Sequence, residues 1–228
     1  MKKLVILSGA GISKESGIDT FRDADGMWQE YDPRELASTD ALKNNPKRVL
    51  EFYNMRRKKM WDANPNAAHI ALLDLEEKYD VTIITQNVDD LHERAGTLNT
   101  IHLHGELSKV RSMDNPDEPI EVEKGADVCL GDLGEDGSQL RPHIVLFGEP
   151  VPKMAEAIDK VKKADIFIVV GTSLQVYPAA ELIDFVPENS DVYIIDPDIP
   201  NVNRKGKMYF IKEKATVGLT KLVLDLLA

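Results

Sequence analysis

The run Lys2-Lys3-Leu4-Val5-Ile6-Leu7-Ser8-Gly9-Ala10-Gly11-Ile12-Ser13 decides how the rest of the chain is read. Leu4 to Leu7 is an apolar run of strand length that leads directly into Gly9-x-Gly11, and Ser13 with the mixed stretch after it can open a helix. A buried parallel strand, a tight glycine turn and a helix N-terminus form a phosphate site: glycine lets the backbone approach a pyrophosphate, and the free N–H groups point at it. The full dinucleotide fingerprint needs a third glycine. None stands at that offset, and Gly17 comes too late. By itself the run is equally an ordinary strand-to-helix turn, so the remaining segments decide.

A chain of 228 residues suits one large α/β domain, or a domain with an inserted lobe. Hydrophobic residues make up 43%, enough for a packed core. No apolar run approaches the ~20 residues of a membrane helix, and Leu4 to Leu7 is too short for a signal-peptide core. The expectation is a cytoplasmic protein without membrane contact. The formal charge of −11 argues against nucleic-acid binding and means that an acidic ligand needs a local cationic pocket. A single cysteine, Cys129, excludes an internal disulfide and any multi-cysteine metal site.

Outward from the glycine turn, Glu15 to Trp28 mixes glycines and short polar residues with Ile18, Phe21, Met27 and Trp28, the pattern of an ordered loop able to cover a ligand. Pro46 to Trp61 reads as a helix with proline in its first turn. Its apolar stripe runs Val49, Phe52, Tyr53 and Met60, with Arg56 in the middle, while Arg57, Lys58 and Lys59 read as a solvated face. An unpaired buried guanidinium costs about 3–5 kcal/mol. Arg56 therefore needs an internal carboxylate or an anionic ligand, with Tyr53 donating a second hydrogen bond in the latter case. A second helix is expected over Ala67 to Lys78, with His69 packed or capping.

Val81 to Thr85 reads as a buried strand ending in Gln86-Asn87-Val88-Asp89-Asp90, more polar residues than helix capping requires. Thr100 to Leu107 reads as another, with His102 and His104 on one face. One reading makes these one core and one exposed histidine; the other makes His104 a general base near neutral pH. Residues 108–140 form an acidic, turn-rich insert in which Ile120-x-Val122 and Val128-x-Leu130 suggest a small hairpin. A strand over Arg141 to Phe147 is expected to return to the sheet. Then come a helix over Met154 to Ala164, strands Ile166 to Val170 and Val192 to Ile195, and an amphipathic helix Thr216 to Leu227. Strands that alternate with helices and break off into Gly, Ser, Thr, Asn or Asp imply an α/β, Rossmann-like doubly wound parallel sheet with its site along one edge. The expected division is 1–26, 65–105 and 141–228 for that domain, with a helical module at 27–64 and a small lobe at 106–140.

In order along nearly the whole chain, Gly9-Ala10-Gly11-Ile12-Ser13 with Phe21-Arg22, Thr85-Gln86-Asn87-Val88-Asp89-Asp90-Leu91-His92, His104-Gly105, Phe147-Gly148-Glu149 and Gly171-Thr172-Ser173 resemble the motifs of the sirtuins, the NAD-dependent protein-lysine deacylases. The resemblance implies NAD as cofactor. Gly9, Ala10, Gly11 and Arg22 would hold its phosphates, Ser13, Thr20, Phe21 and Trp28 would also touch the cofactor, and Gln86, Asn87 and Asp89 would line the nicotinamide and its ribose. Gly171, Thr172, Ser173, Asp196 and Ala215 would take the adenosine side. His104 and Asn87 would be catalytic, His104 removing a proton from a ribose hydroxyl after the acyl oxygen has displaced nicotinamide. The products would be free lysine, nicotinamide and O-acyl-ADP-ribose. An acyl-lysine protein or peptide would lie as an added strand against Val145, Phe147, Gly148 and Val176.

Tyr53-x-x-Arg56 resembles the pair of the sirtuin class that removes succinyl and malonyl groups; one helix turn lets both reach one carboxylate. Three departures stand out. Ser112 and Asn115 occupy a stretch where most sirtuins carry zinc-binding cysteines, so no zinc is expected, and either Ile120, Val122, Val128, Leu130 and Leu133 hold the lobe or it is loose. Asp19 stands where the family usually has proline, giving a freer cofactor loop, and Asp196 where asparagine is common. A monomer is expected. Two rivals remain: an ADP-ribosyltransferase using the same NAD cleavage, and a non-catalytic NAD or ADP-ribose sensor, which would need no base at His104.

Overall fold

A computed structural model describes residues 1–20, 26–27 and 32–228. Strand β1 (Lys2–Ser8) forms from the opening apolar run. It pairs in parallel with β2 (Tyr79–Thr85) on one side and β7 (Ile166–Val170) on the other. With β3 (Thr100–His102), β8 (Asp191–Ile195) and β9 (Met208–Ile211) they make a six-stranded parallel sheet, order β3-β2-β1-β7-β8-β9. Leu4 to Leu7 are all buried, yet alternation sends Leu4 and Ile6 to one face and Val5 and Leu7 to the other. The first face is covered by the helices Ala67–Asp74 (α5) and Ala215–Leu227 (α8). The second is covered by the helix Met154–Val161 (α7) and the 3-10 segment Ala179–Phe185. Both faces covered is the condition under which a parallel sheet can be apolar throughout, and it bears out the doubly wound α/β reading. Among the described residues no helix is long and apolar enough to cross a membrane.

After β3 the chain leaves this sheet at His104-Gly105. Gly105 has φ +80°, and a Cβ there would lie 2.2 Å from the His143 carbonyl oxygen, so only glycine fits. Strand β4 (Gly105–Ser112) then starts a second, antiparallel sheet with β5 (Ile120–Glu121) and β6 (Leu140–Ile144), order β5-β4-β6. This corrects two expectations. The segment from Arg141 joins this small sheet rather than the large one; Pro142 cannot donate to a ladder and sits on an edge strand, facing Val110. Ile120-Glu121 pairs with Lys109 and Val110 of β4, not with Val128 to Leu130.

Between the sheets lies the helix Pro46–Asp62 (α4), with Pro46 in its first turn and the Asn45 side chain accepting from the Arg48 N–H. Val49, Phe52, Tyr53 and Met60 pack with Leu107, Ile144 and Leu146, as the stripe predicts. A second face was missed: Leu50 packs with Val110 and Val128, and Arg57 is fully buried rather than solvated. Arg57 Nε donates to the Leu107 carbonyl and Nη1 to Asn54 Oδ1, each at 2.7 Å, while Asn54 Nδ2 donates to the Val128 carbonyl at 2.9 Å. The lobe is held by Leu50, Val110 and Val128 with Val122 and Leu140, whereas Ile120, Leu130 and Leu133 are exposed. The helix α5 stops at Asp74 and a 3-10 turn covers Leu75–Glu77. His69 is buried in its capping box, its Nδ1 accepting from the Asn66 N–H at 3.3 Å.

Candidate active site

Strand register lines up the polar residues. Ser8 stands opposite Thr85 and Val170, Val170 opposite Ile195, and Thr85 opposite His102. The next residues, Gly9, Gln86, Gly171 and Asp196, therefore emerge along one carboxyl edge, where open α/β sheets bind ligands. Gly9 N–H donates to the Val170 carbonyl at 3.0 Å and Gly11 N–H to the Gly171 carbonyl at 2.9 Å. A Cβ on Gly9 would lie 2.6 Å from Thr172 Cβ, and one on Gly11 2.7 Å from Gly171 Cα. The room the glycines leave is thus filled by the turn after β7. The helix they open, Gly11–Lys14, is a single turn.

Below this turn a polar network orients the second motif. Asn87 Nδ2 donates to the Gly9 carbonyl and to Ser13 Oγ, both at 3.2 Å. Ser13 Oγ donates to Asp89 Oδ2 at 3.0 Å and lies 3.5 Å from His69 Nε2. Asn87, Asp89 and Ser13 are all buried. Burial pushes the Asp89 pKa up, against the Leu91 N–H, the Ser13 hydroxyl and the charge of His102. Gln86 Nε2 donates to Thr172 Oγ1 at 3.0 Å, tying the β2 tip to the β7 tip across β1.

His104 sits where the two sheets part, its Nδ1 2.9 Å from the Gln86 carbonyl oxygen. His102 Nδ1 lies 3.3 Å from the next carbonyl, that of Asn87, and its Nε2 2.9 Å from Glu93 Oε1. Neither histidine is a core or a fully exposed residue: both are partly buried and partnered. Burial lowers the His104 pKa, and the Gln86 carbonyl opposes this.

A cavity of about 390 Å³ opens beside this network, lined among others by Ala10, Asp19, Met27, Arg56, Asn87 and Asp89. Arg56 lies with its guanidinium carbon 5.5 Å from the Tyr53 ring centroid and 5.8 Å from that of Phe52. Burial lowers the Arg56 pKa while Tyr53, Asp89 and Asp19 raise it; an arginine stays charged at neutral pH. Thr20 Oγ1, at the lip of the same loop, is buried and has no hydrogen-bond partner among the described residues. A buried hydroxyl in that condition, next to a cavity of this size, fits a polar cofactor that completes the bond.

Phe147 is about half exposed and exchanges backbone hydrogen bonds with Ala37 and Thr39 on one side. Val145 N–H donates to the His104 carbonyl at 2.9 Å, which brings this strand beside the histidine. Gly148 has φ +98°. Val176 is partly buried next to the exposed Tyr177. Ser173, Asp196 and Ala215 follow β7, β8 and β9 along the same edge but do not line the cavity. Asp196 Oδ1 accepts from the Asp198 N–H at 2.9 Å. Phe21, Arg22 and Trp28 lie outside the described residues. Sequence reasoning missed Met55, Lys59 and Leu107 as cavity residues; Lys59 was signalled by its spacing of three from Arg56. Asp19 is tied to α4 by an ion pair with Lys59. Among the described residues no group of three or more His, Cys, Asp or Glu gathers as a metal site.

Comparison with known proteins places the chain. The family model described as "Sir2 family" matches residues 9–178. An "NAD-dependent protein deacylase" of Helicobacter pylori is 53% identical over 223 residues, 98% of this chain and 96% of that protein. A solved Sir2 homolog–NAD complex is 41% identical with a TM-score of 0.88, covering 100% of this chain and 91% of the other. A Sir2–p53 peptide–NAD+ complex is 30% identical with a TM-score of 0.79, covering 98% and 92%. With a family match across most of its length and relatives aligned nearly end to end, this chain belongs to the Sir2 family, the sirtuins.

Proposed function

We propose that this protein is an NAD-dependent protein-lysine deacylase that removes acidic acyl groups, succinyl and malonyl, in preference to acetyl. The enzyme class rests on family membership and on relatives named for that activity. The acyl preference rests on one observation: Arg56 lines the cavity, one helix turn from Tyr53, with the two side chains in contact. In a chain of net charge −11 this gives an acyl carboxylate a local cation to meet.

NAD, when bound, supplies the glycosidic bond whose cleavage drives acyl transfer and gives nicotinamide and O-acyl-ADP-ribose. The chain's residues do the rest. The Gly9–Gly11 turn and Gln86–Thr172 set the floor of the site, and Asn87 is locked by its two donor bonds so that its amide oxygen is left for the ligand. His104, with its Nδ1–H given to the Gln86 carbonyl, keeps Nε2 as the basic atom for a hydroxyl proton. The peptide backbone is received at Gly148 and at the Val176 N–H, since Phe147 already spends its own N–H and C=O on Ala37 and Thr39 and the Val176 carbonyl accepts from the Ala180 N–H.

The test compares kcat/KM on succinyl-lysine and acetyl-lysine peptides for wild type and Arg56→Met. Charge-assisted hydrogen bonds contribute about 1.5–3 kcal/mol, so the succinyl preference is expected to fall at least about tenfold in the variant. The same preference in both proteins would remove Arg56 from the specificity argument.

A further inference from the structure

The cavity wall carries two cations and two carboxylates: Arg56 and Lys59 from α4, Asp19 from the loop after the glycine turn, and Asp89 from the β2 tip. Their bonding is unequal. Asp89 is buried and held through both oxygens, Oδ2 accepting from Ser13 Oγ and Oδ1 from the Leu91 N–H. Asp19 is different. It pairs with Lys59 Nζ, and both side chains are half exposed, 49% each. Its charge also acts on Arg56. Lys59 is three residues beyond Arg56, so the two sit on one helix face, about 5–6 Å apart at Cβ. Asp19 thus neutralises Lys59 and leaves Arg56 as the cation that an acyl carboxylate meets first.

We propose that Lys59 is a second specificity-determining residue, and that Asp19 competes with the acyl carboxylate for it. This rests on the acidic-acyl reading above. An incoming carboxylate bound by Arg56 can place its second oxygen towards Lys59, and Asp19 is the partner it displaces. Of the two wall carboxylates Asp19 alone can yield, because its ion pair is half exposed and so weak, whereas moving Asp89 would break a buried network. Asp19 therefore discriminates in both directions: it neutralises Lys59 for neutral acyl chains and sets a threshold that an acidic chain must overcome.

The experiment measures the ratio of kcat/KM on succinyl-lysine to that on acetyl-lysine peptide at saturating NAD, in wild type, Lys59→Gln, Lys59→Arg, Asp19→Asn and Arg56→Met. A half-exposed pair is screened by solvent, so Lys59→Gln is expected to lower the ratio about threefold to fivefold, mainly through KM. Lys59→Arg should restore it. Asp19→Asn should raise it, and in the Lys59→Gln background the same change should raise it less, by what Asp19 does through Arg56 alone. An unchanged ratio in Lys59→Gln, or a lower one in Asp19→Asn, overturns the proposal. If Arg56→Met collapses the ratio while Lys59→Gln does not move it, only the role of Lys59 fails. If Arg56→Met leaves the ratio unmoved, the acidic-acyl reading itself fails and this inference falls with it.

Discussion

The Nδ1 atom of His104 lies 2.9 Å from the carbonyl oxygen of Gln86. A carbonyl can only accept, so Nδ1 carries the hydrogen and the neutral ring keeps its lone pair on Nε2. Burial lowers the pKa of this ring below the ordinary 6.5, and the carbonyl bond offsets part of that. A lowered pKa means that the basic form survives to more acidic pH. The acid limb of kcat/KM should have its midpoint below 6.5, and His104→Ala should lower kcat about 10²–10⁴-fold. A pH–rate series on wild type, read with steady-state formation of free lysine and O-acyl-ADP-ribose by the variant, checks both. An acid limb centred above 6.5, or unchanged O-acyl-ADP-ribose formation, would remove His104 as the base.

Thr20 carries a buried hydroxyl with no partner among the described residues. Leaving such a group unpaired costs about 1–3 kcal/mol. Thr20→Val keeps the shape and removes the polar atom. Without NAD the variant should melt higher than wild type. With NAD its stabilisation should be smaller, because the hydroxyl that would meet the cofactor is gone. Thermal melts across an NAD titration decide this; an equal NAD-induced shift in both proteins would show that Thr20 does not touch the cofactor.

The strand tips were legible because apolar runs ended abruptly in glycine or polar residues, and parallel register carries such ends to one edge. Tyr53 and Arg56 were legible because a charge on an apolar helix stripe demands a partner. Arg57 was not, since a single helical stripe describes one buried face and α4 has two: one towards Leu107 and Ile144, the other towards Val110 and Val128. Its partners are a carbonyl and an amide oxygen, which residue spacing does not reveal. The strand at Arg141 was legible as a strand but not as a member of either sheet, because pairing is set by where the chain turns. That turn is fixed by Gly105 against His143, two residues far apart in sequence.

Four titrating side chains, two on the helix Leu91–Ala95 and two beside it, should give stability a maximum near pH 6.5. His69 and His92 are buried, and burial lowers their pKa to about 4 and about 3. Between those values and 6.5 the unfolded chain binds protons that the fold refuses, so stability falls as pH drops below 6.5, by up to about 1.4 kcal/mol per pH unit for each ring. His102 behaves oppositely. Burial alone would lower its pKa, but the Glu93 carboxylate overrides this and raises it. Its contribution is complete below 6.5 and lost as pH rises through the raised value. Glu93, held at about 2 by His102 despite burial, contributes above its ordinary 4.5 and loses that contribution as pH falls towards 2. Urea unfolding from pH 4 to 9 should show the maximum, and His102→Gln should flatten the alkaline side. A stability that climbs steadily from pH 6.5 to pH 4 would contradict the burial of neutral His69 and His92.

The small lobe should stand without metal. Ser112, at the end of β4, donates to the Asp136 carboxylate and bonds Ser138, and the Ser138 N–H returns to Asp136 Oδ1 at 3.0 Å. A second turn closes with the Cys129 N–H on Asp132 Oδ2 at 2.7 Å and Gln139 Nε2 on the Cys129 carbonyl at 2.9 Å. These bonds fasten the connection between β4 and β6 over the buried Val110 and Val128. A structural zinc would contribute on the order of 10 kcal/mol to such a lobe, so its removal would be obvious. The expected outcome is a melting temperature unmoved by a strong chelator and no stoichiometric zinc by elemental analysis. Asp136→Ala should instead speed amide exchange at Asp114, Asn115 and Ser138 while leaving the parallel sheet protected. A chelator-induced collapse, or protection at these amides indifferent to Asp136, would mean that something other than this network holds the lobe.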